Sequence, residues 1–182
     1  MDKERMKCLV QDSQAVSVRF PRIMIAAEKS GGGKTLFTCA LLSLLKEKIQ
    51  EVRAFKCGPD YIDPMFHKEV LGVDSKNLDL FFSSEDELRK EYAKHAADAE
   101  LVITEGVMGY YDGMRLDSVT ASSYDVARTL DIPAVLILPC KGAALSLCAV
   151  VSGIVSFQKD SNIQGIILNR VSKMLYPRLK KM

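Results

Sequence analysis

The 182-residue chain, 48% hydrophobic and with a net charge of +2, is sized for one domain around one sizeable core. Its lysines and arginines are scattered, which argues against a nucleic-acid partner. The longest apolar stretch, 145–157, is too short to span a bilayer, and no apolar signal-like segment precedes residue 21, so a cytoplasmic protein without a membrane partner is expected.

In chain order, residues 1–20 lack periodicity and read as a loose leader, with the domain proper over 21–182. Arg22–Ala27 is a short β-type run that ends in a glycine cluster, and an apolar helical pattern follows over 34–48. A second strand is expected at 51–57, closed by Gly58 and Pro59. Residues 84–97 have helical spacing, with Ser84 and Glu87 in capping-box positions. Further strands are expected at Leu101–Glu105, 134–138 and 165–169, with helices at 122–130 and 143–156. Lys173, Lys180 and Lys181 read as a solvated helix face. Short apolar strands alternating with helices imply an α/β fold, a mainly parallel sheet with helices on both faces. Ligands of such sheets sit at the strands' carboxyl ends, where this chain places Lys56, Glu105 and Asn169. Five cysteines (Cys8, Cys39, Cys57, Cys140, Cys148) form no CxxC pair and read as core thiols of a reducing compartment.

The segment Ser30-Gly31-Gly32-Gly33-Lys34-Thr35 lies between the first strand and the first helix. Glycines there let backbone N–H groups turn toward polyphosphate, and the positive helix end adds attraction. Lys34 is expected at the β/γ-phosphates and the Thr35 hydroxyl at Mg²⁺, which makes this a P-loop NTPase fold that binds Mg-ATP. Glu28 stands where the strict motif has glycine, and the loop is closer to the variant K-G-G-x-G-K-T, with Lys29 at the leading lysine and Ser30 replacing a glycine. Lys29 reads as a phosphate contact or as a solvated loop residue.

Gly58-Pro59-Asp60-Tyr61-Ile62-Asp63-Pro64 follows the second strand on the same sheet edge. Its two carboxylates suit either a Mg²⁺ site, which takes one or two carboxylates plus phosphate oxygens, or an Asx-type turn. Leu101–Glu105 runs into an acid at a strand end, as a Walker-B-like carboxylate does. Asp112, in Tyr110-Tyr111-Asp112-Gly113, is a third candidate acid or the acid of a D-G turn. Lys56 is a candidate catalytic cation. His67 and His95 read as ordinary packed or surface histidines.

Taken together, the run from Lys56 to Pro64, Glu105-Gly106-Val107-Met108-Gly109-Tyr110-Tyr111-Asp112-Gly113 and Ile167-Leu168-Asn169-Arg170-Val171 resemble the cobyrinic acid a,c-diamide synthase family. That family lies within the wider dethiobiotin-synthetase-like group of P-loop enzymes. The resemblance implies that ATP phosphorylates a corrin side-chain carboxylate and that ammonia then displaces phosphate to give an amide, first at the c and then at the a position. By the same resemblance Ser30, Gly31, Gly32, Gly33, Lys34 and Thr35 would hold the phosphates, and Thr35, Asp60 and Glu105 would surround Mg²⁺. Asn169 would meet the adenine edge. Tyr61, Ile62, Asp63 and Asp112 would lie on the corrinoid side, with Lys34, Lys56 and Asp112 assisting the chemistry. Ammonia would come from a glutaminase domain, for which no cysteine elbow is visible in this chain, and a homodimer is left open. A ligase for another tetrapyrrole such as a nickel-sirohydrochlorin, a P-loop ATPase switch and a non-catalytic ATP-binding fragment are the alternative readings.

Overall fold

The computed structural model describes residues 20–182. Its elements run β1 (Arg22–Ala27), α1 (Lys34–Lys46), β2 (Val52–Cys57), α2 (Ile62–Glu69), β3 (Ser75–Leu78), α3 (Glu85–His95), β4 (Leu101–Glu105), α4 (Ser123–Leu130), β5 (Ala134–Pro139), α5 (Ser146–Ser156), β6 (Ile163–Asn169) and α6 (Tyr176–Lys181). The strands form one sheet in the order β3-β2-β4-β1-β5-β6, and every pairing is parallel. The chain works outward from β1 to one edge, returns to β4, and then crosses to the other side of β1. The ends of β1, β2 and β4 therefore lie side by side at the switch in winding direction, where ligands of open α/β sheets bind.

The central strands are apolar along their length because both faces are covered. One core contains Met24, Phe55, Tyr92, Tyr124 and Leu136, and residues of α3, α4 and α5 pack in it. The second core contains Ile25, Ile103 and Ile137 with Leu42 of α1. The expected capping box is present: the Ser84 side chain accepts from Glu87 N–H, and the Glu87 carboxylate accepts from Ser84 N–H. Ser122 caps α4 by accepting from Asp125 N–H.

Three features depart from the sequence reading. The sheet has six strands rather than five. β3, with its Ser-Lys-Asn start, is a polar edge strand that carries no apolar run. The stretch from Tyr61 onward is a helix rather than a stiff loop. Asp60 Oδ1 accepts from Ile62 N–H at 2.9 Å and Asp63 N–H at 3.1 Å, and Pro64 falls in the first turn, where its missing N–H costs nothing. Finally, α5 begins at Ser146 and β6 at Ile163. Of the expected leader, residues 1–19 lie outside the described residues, while Phe20 is buried against Tyr92 with ring centroids 5.6 Å apart. Cys39, Cys57, Cys140 and Cys148 are free thiols; Cys8 is outside the described residues. No helix among the described residues is long and apolar enough to cross a membrane.

Candidate functional site

The loop after β1 enters α1 through Gly33, which sits at φ 104°. A Cβ there would meet Asn169 Nδ2 at 2.7 Å, so both the left-handed backbone and the lack of space demand glycine. No side chain caps α1, and its first turn holds no acid. Its free N–H groups and positive end thus face the loop unopposed, as an anion site requires. Lys34 is buried and its ammonium donates to the Met108 carbonyl. Burial above all, and then the neighbouring Lys56, holds the Lys34 pKa below its usual value. Lys29 is solvated and pairs with Glu28, the residue that departs from the strict motif, at 3.4 Å.

Opposite the loop, β4 delivers Glu105 with no solvent exposure. Glu105 Oε1 accepts from the Thr35 hydroxyl at 2.7 Å and from Lys56 Nζ at 2.8 Å. Lys56 Nζ also donates to Asp63 Oδ2 at 2.5 Å and lies 3.8 Å from Asp60 Oδ2. The Thr35 hydroxyl is 3.5 Å from Asp63 Oδ2. Burial alone would lower the Lys56 pKa, but the Glu105 charge and the bonds to Asp63 and Glu105 outweigh it and hold the ammonium above its usual value. Glu105 Oε2 is buried with no hydrogen-bond partner. Lys34, Thr35, Lys56, Asp60, Asp63 and Met108 line a cavity of about 470 Å³ beside the phosphate loop.

This geometry is that of a nucleotide site, and sequence comparison agrees. Residues 23–182 match the CobQ/CobB/MinD/ParA nucleotide binding domain. The chain belongs to that family. It is 42% identical over 159 residues to cobyrinate a,c-diamide synthase of Synechococcus sp., covering 87% of this chain and 35% of that protein. It is 44% identical over 158 residues to the enzyme of the same name from Clostridium acetobutylicum, covering 87% and 36%. With that of Gloeobacter violaceus it is 46% identical over 149 residues, covering 82% and 33%. The chain thus spans about a third of the length of the curated relatives it matches. Among solved structures it is similar to hydrogenase maturation factor HypB from Archaeoglobus fulgidus, at 12% identity, coverage of 89% and 88%, and a TM-score of 0.49.

Within this CobQ/CobB/MinD/ParA domain the expected site residues fall into three places. Lys34, Thr35, Lys56, Asp60 and Asp63 line the cavity, and Glu105 lies buried behind them, bonded to Thr35 and Lys56. Asp63, which the resemblance puts on the substrate side, lies against Thr35 and Lys56, while Asp60 spends one oxygen on the first turn of α2. Tyr61 and Ile62 are largely exposed, at 83% and 73%, and border a neighbouring hollow with Pro59 and Val107. Asp112 accepts from Gly109 N–H at 2.8 Å and so holds the loop that presents Met108. A Cβ on Gly109 would lie 2.5 Å from the Glu28 carbonyl and collide with Asp112 as well. Asn169 donates to the Gly32 carbonyl at 3.0 Å and accepts from Arg170 N–H at 2.8 Å, so it braces the phosphate loop.

Two contributors escaped the sequence reading. The Met108 carbonyl is a backbone group, and its φ of 49° leaves no side-chain signature. Ser123 accepts from Val107 N–H at 2.8 Å and donates to the Val107 carbonyl at 2.9 Å, fixing the same loop from α4. The Thr35 hydroxyl with the Asp63 and Glu105 carboxylates is an all-oxygen set suited to a hard divalent cation. No group of three or more His, Cys, Asp or Glu side chains that could hold a metal ion occurs among the described residues; two carboxylates and a hydroxyl fit an ion that completes its shell with phosphate oxygens and water.

Proposed function

We propose that this chain is the ATP-binding part of a cytoplasmic cobyrinate a,c-diamide synthase, acting on corrin side-chain carboxylates in cobalamin biosynthesis. The observation that carries this reading is the convergence of Lys34, Thr35, Lys56 and Asp63 on one cavity beside the phosphate loop, with buried Glu105 bonded to Thr35 and Lys56 behind them. The names of its relatives supply the substrate class. A substrate carboxylate oxygen attacks the γ-phosphorus of ATP, the bond to the ADP oxygen breaks, and an acyl phosphate results. Ammonia, in the relatives' chemistry the product of a glutaminase domain, then attacks the acyl carbon, and phosphate leaves with the C–O bonding pair.

The obstacle to the first step is repulsion between two anions. The Lys34 and Lys56 ammonium groups offset it, and one well-placed donor in a closed site contributes roughly 3–4 kcal/mol. Thr35, Asp63 and Glu105 would hold Mg²⁺, which when bound spreads the charge that develops on the phosphate oxygens. The N–H groups at the start of α1 orient the phosphates, and Asn169 keeps their loop in shape. Exposed Tyr61 and Ile62, which border the neighbouring hollow, offer the apolar surface that a large, flat tetrapyrrole needs on one side.

The test is ADP release by the chain with Mg-ATP, cobyrinic acid and ammonium. Release that requires both the corrinoid and ammonium, matched by amide formation, is expected. Release indifferent to both would replace the ligase with a nucleotide switch, and a preference for a nickel-sirohydrochlorin would change the tetrapyrrole.

A further inference from the structure

Lys56 has an unexpected set of partners for a side chain whose task is to meet phosphate. Its ammonium donates to Glu105 Oε1 and Asp63 Oδ2, and these are the same two oxygens that flank the Thr35 hydroxyl. Glu105 Oε1 therefore has both of its lone pairs engaged, one by Thr35 and one by Lys56. A Mg²⁺ ion held by the Thr35 hydroxyl would need to stand about 2.0–2.1 Å from its oxygen ligands, and those oxygens already serve Lys56. We propose that the Lys56 ammonium is the resident counter-cation of the metal site, holding the shared oxygens of Glu105 and Asp63 until a divalent ion displaces it toward the nucleotide.

The charges around the cavity fit this exchange. Three carboxylates, Asp60, Asp63 and Glu105, lie within 4 Å of Lys56 Nζ. The other cavity ammonium, Lys34, points to the Met108 carbonyl and takes no carboxylate. A fully buried Glu105 with neither metal nor Lys56 would be an uncompensated charge, a strongly unfavourable state. Lys56 thus lets the protein fold with the buried Glu105 charge compensated before any metal ion arrives. The consequence is linkage: a metal ion alone must expel an ammonium that has nowhere to go, whereas a metal ion arriving with ATP brings a phosphate that receives it. Metal and nucleotide then bind cooperatively, because each provides for the group the other displaces.

The inference rests on the Mg-ATP reading of the cavity, and the experiment separates the two. Mn²⁺ binding, followed by loss of the free-ion electron paramagnetic resonance signal, is measured without nucleotide for the parent, Lys56→Met, Lys56→Arg and Lys34→Met. Lys56→Met is expected to bind Mn²⁺ at least tenfold more tightly than the parent, and Lys56→Arg is not. Lys34→Met removes the same charge from the same cavity without freeing a carboxylate, so it should tighten binding far less. Equal tightening in Lys34→Met and Lys56→Met reduces the effect to general electrostatics and overturns the proposal, as does no tightening in Lys56→Met. If Lys56→Met is unfolded without metal, circular dichroism should show it refolding on Mn²⁺ addition; failure to refold also counts against the exchange. If calorimetric titration of the parent with Mg-ATP shows no binding, the Mg-ATP reading itself falls and takes the exchange with it.

Discussion

The two sides of β1 are built to different standards. On one side, β2 and β4 are almost entirely buried and carry Lys56 and Glu105 at or next to their ends, and α1 buries Lys34, Thr38 and Leu42. On the other, β5 is well covered, but β6 beyond it has no buried residue. Nor does α5, although its sequence Ser-Leu-Cys-Ala-Val-Val-Ser-Gly-Ile-Val-Ser is almost wholly apolar. A hollow of about 500 Å³ lies between them, lined by residues such as Leu147, Val151, Ile166, Leu168, Tyr176 and Met182. Apolar sequence is thus a poor guide to burial at the outer edge, and close packing coincides with the strands that carry charge into the site. This is physically reasonable. A buried ion network keeps its geometry only where the surrounding core is dense and cannot relax.

The sharpest way to break that contrast is to shorten one side chain on each side. Ile103 of β4 is buried, so Ile103→Ala should cost about 2–5 kcal/mol through lost transfer energy and the cavity left behind. Val151 of α5 borders the hollow and loses two carbons already partly exposed, so Val151→Ala should cost about 1 kcal/mol or less. Urea unfolding midpoints of the two variants measure the difference. Equal losses would mean that the outer side is as tightly packed as the inner.

Next comes the ligand side of the comparison. Lys34→Ala removes the point charge at the phosphates while leaving Glu105, Lys56 and Thr35 bonded to one another. ATP affinity should fall tenfold or more, about 1.4 kcal/mol or above, and ADP affinity less, with the fold retained. Calorimetric titration with both nucleotides decides this, and unchanged ATP affinity would remove Lys34 from the phosphate site.

A smaller effect is expected at the single point where the loosely covered side reaches the site. Asn169, at the end of β6, donates to the Gly32 carbonyl. A neutral hydrogen bond of this kind contributes about 0.5–1.5 kcal/mol. Asn169→Ala should therefore weaken ATP binding a few-fold by loosening the loop, with a similar loss in stability. If ATP binding is untouched while stability drops, Asn169 braces the sheet and not the nucleotide site.

How much of this could be read from the residues follows from the physics of each element. β1, β4 and β5 were legible because buried parallel strands are continuous apolar runs. α3 was legible because Ser84 and Glu87 form a capping box with fixed spacing; α4 was expected from its helical pattern, and its Ser122 cap appears only in the structure. β3 was not, since its pairing with β2 is a backbone matter to which Ser75, Lys76 and Asn77 contribute no apolar pattern. Of the site, Lys34, Thr35 and Glu105 follow from strand ends and the glycine loop. That Asp63 lies against Thr35 and Lys56 depends on α2, whose first N–H groups Asp60 accepts from despite two prolines nearby. Such a local turn decides which of two neighbouring carboxylates faces the cavity, and periodicity carries no trace of it.

The smallest expected effect concerns protons, and it too separates the sides, because both histidines of the chain, His67 and His95, lie on the inner one, in α2 and α3. His67 is fully buried. Its Nδ1 is 3.1 Å from the Ser75 hydroxyl, and its Nε2 has no partner. Burial pushes the pKa of His67 below its usual 6.5 and does the same to His95. The sign of the consequence is fixed by linkage. Above about pH 6.5 both folded and unfolded chains carry a neutral imidazole, and the group leaves stability unchanged. As the pH falls below 6.5 the unfolded chain takes up a proton that the folded chain refuses, so stability declines until the pH reaches the depressed folded value. Thermal midpoints measured from pH 7.5 down to 5.5 should therefore drift downward, and His67→Asn, which keeps a polar group opposite Ser75 but cannot titrate, should flatten part of that slope. Adding the equivalent change at His95 should flatten it further. An unchanged slope in the double variant would show that the buried histidines do not cause the acid sensitivity.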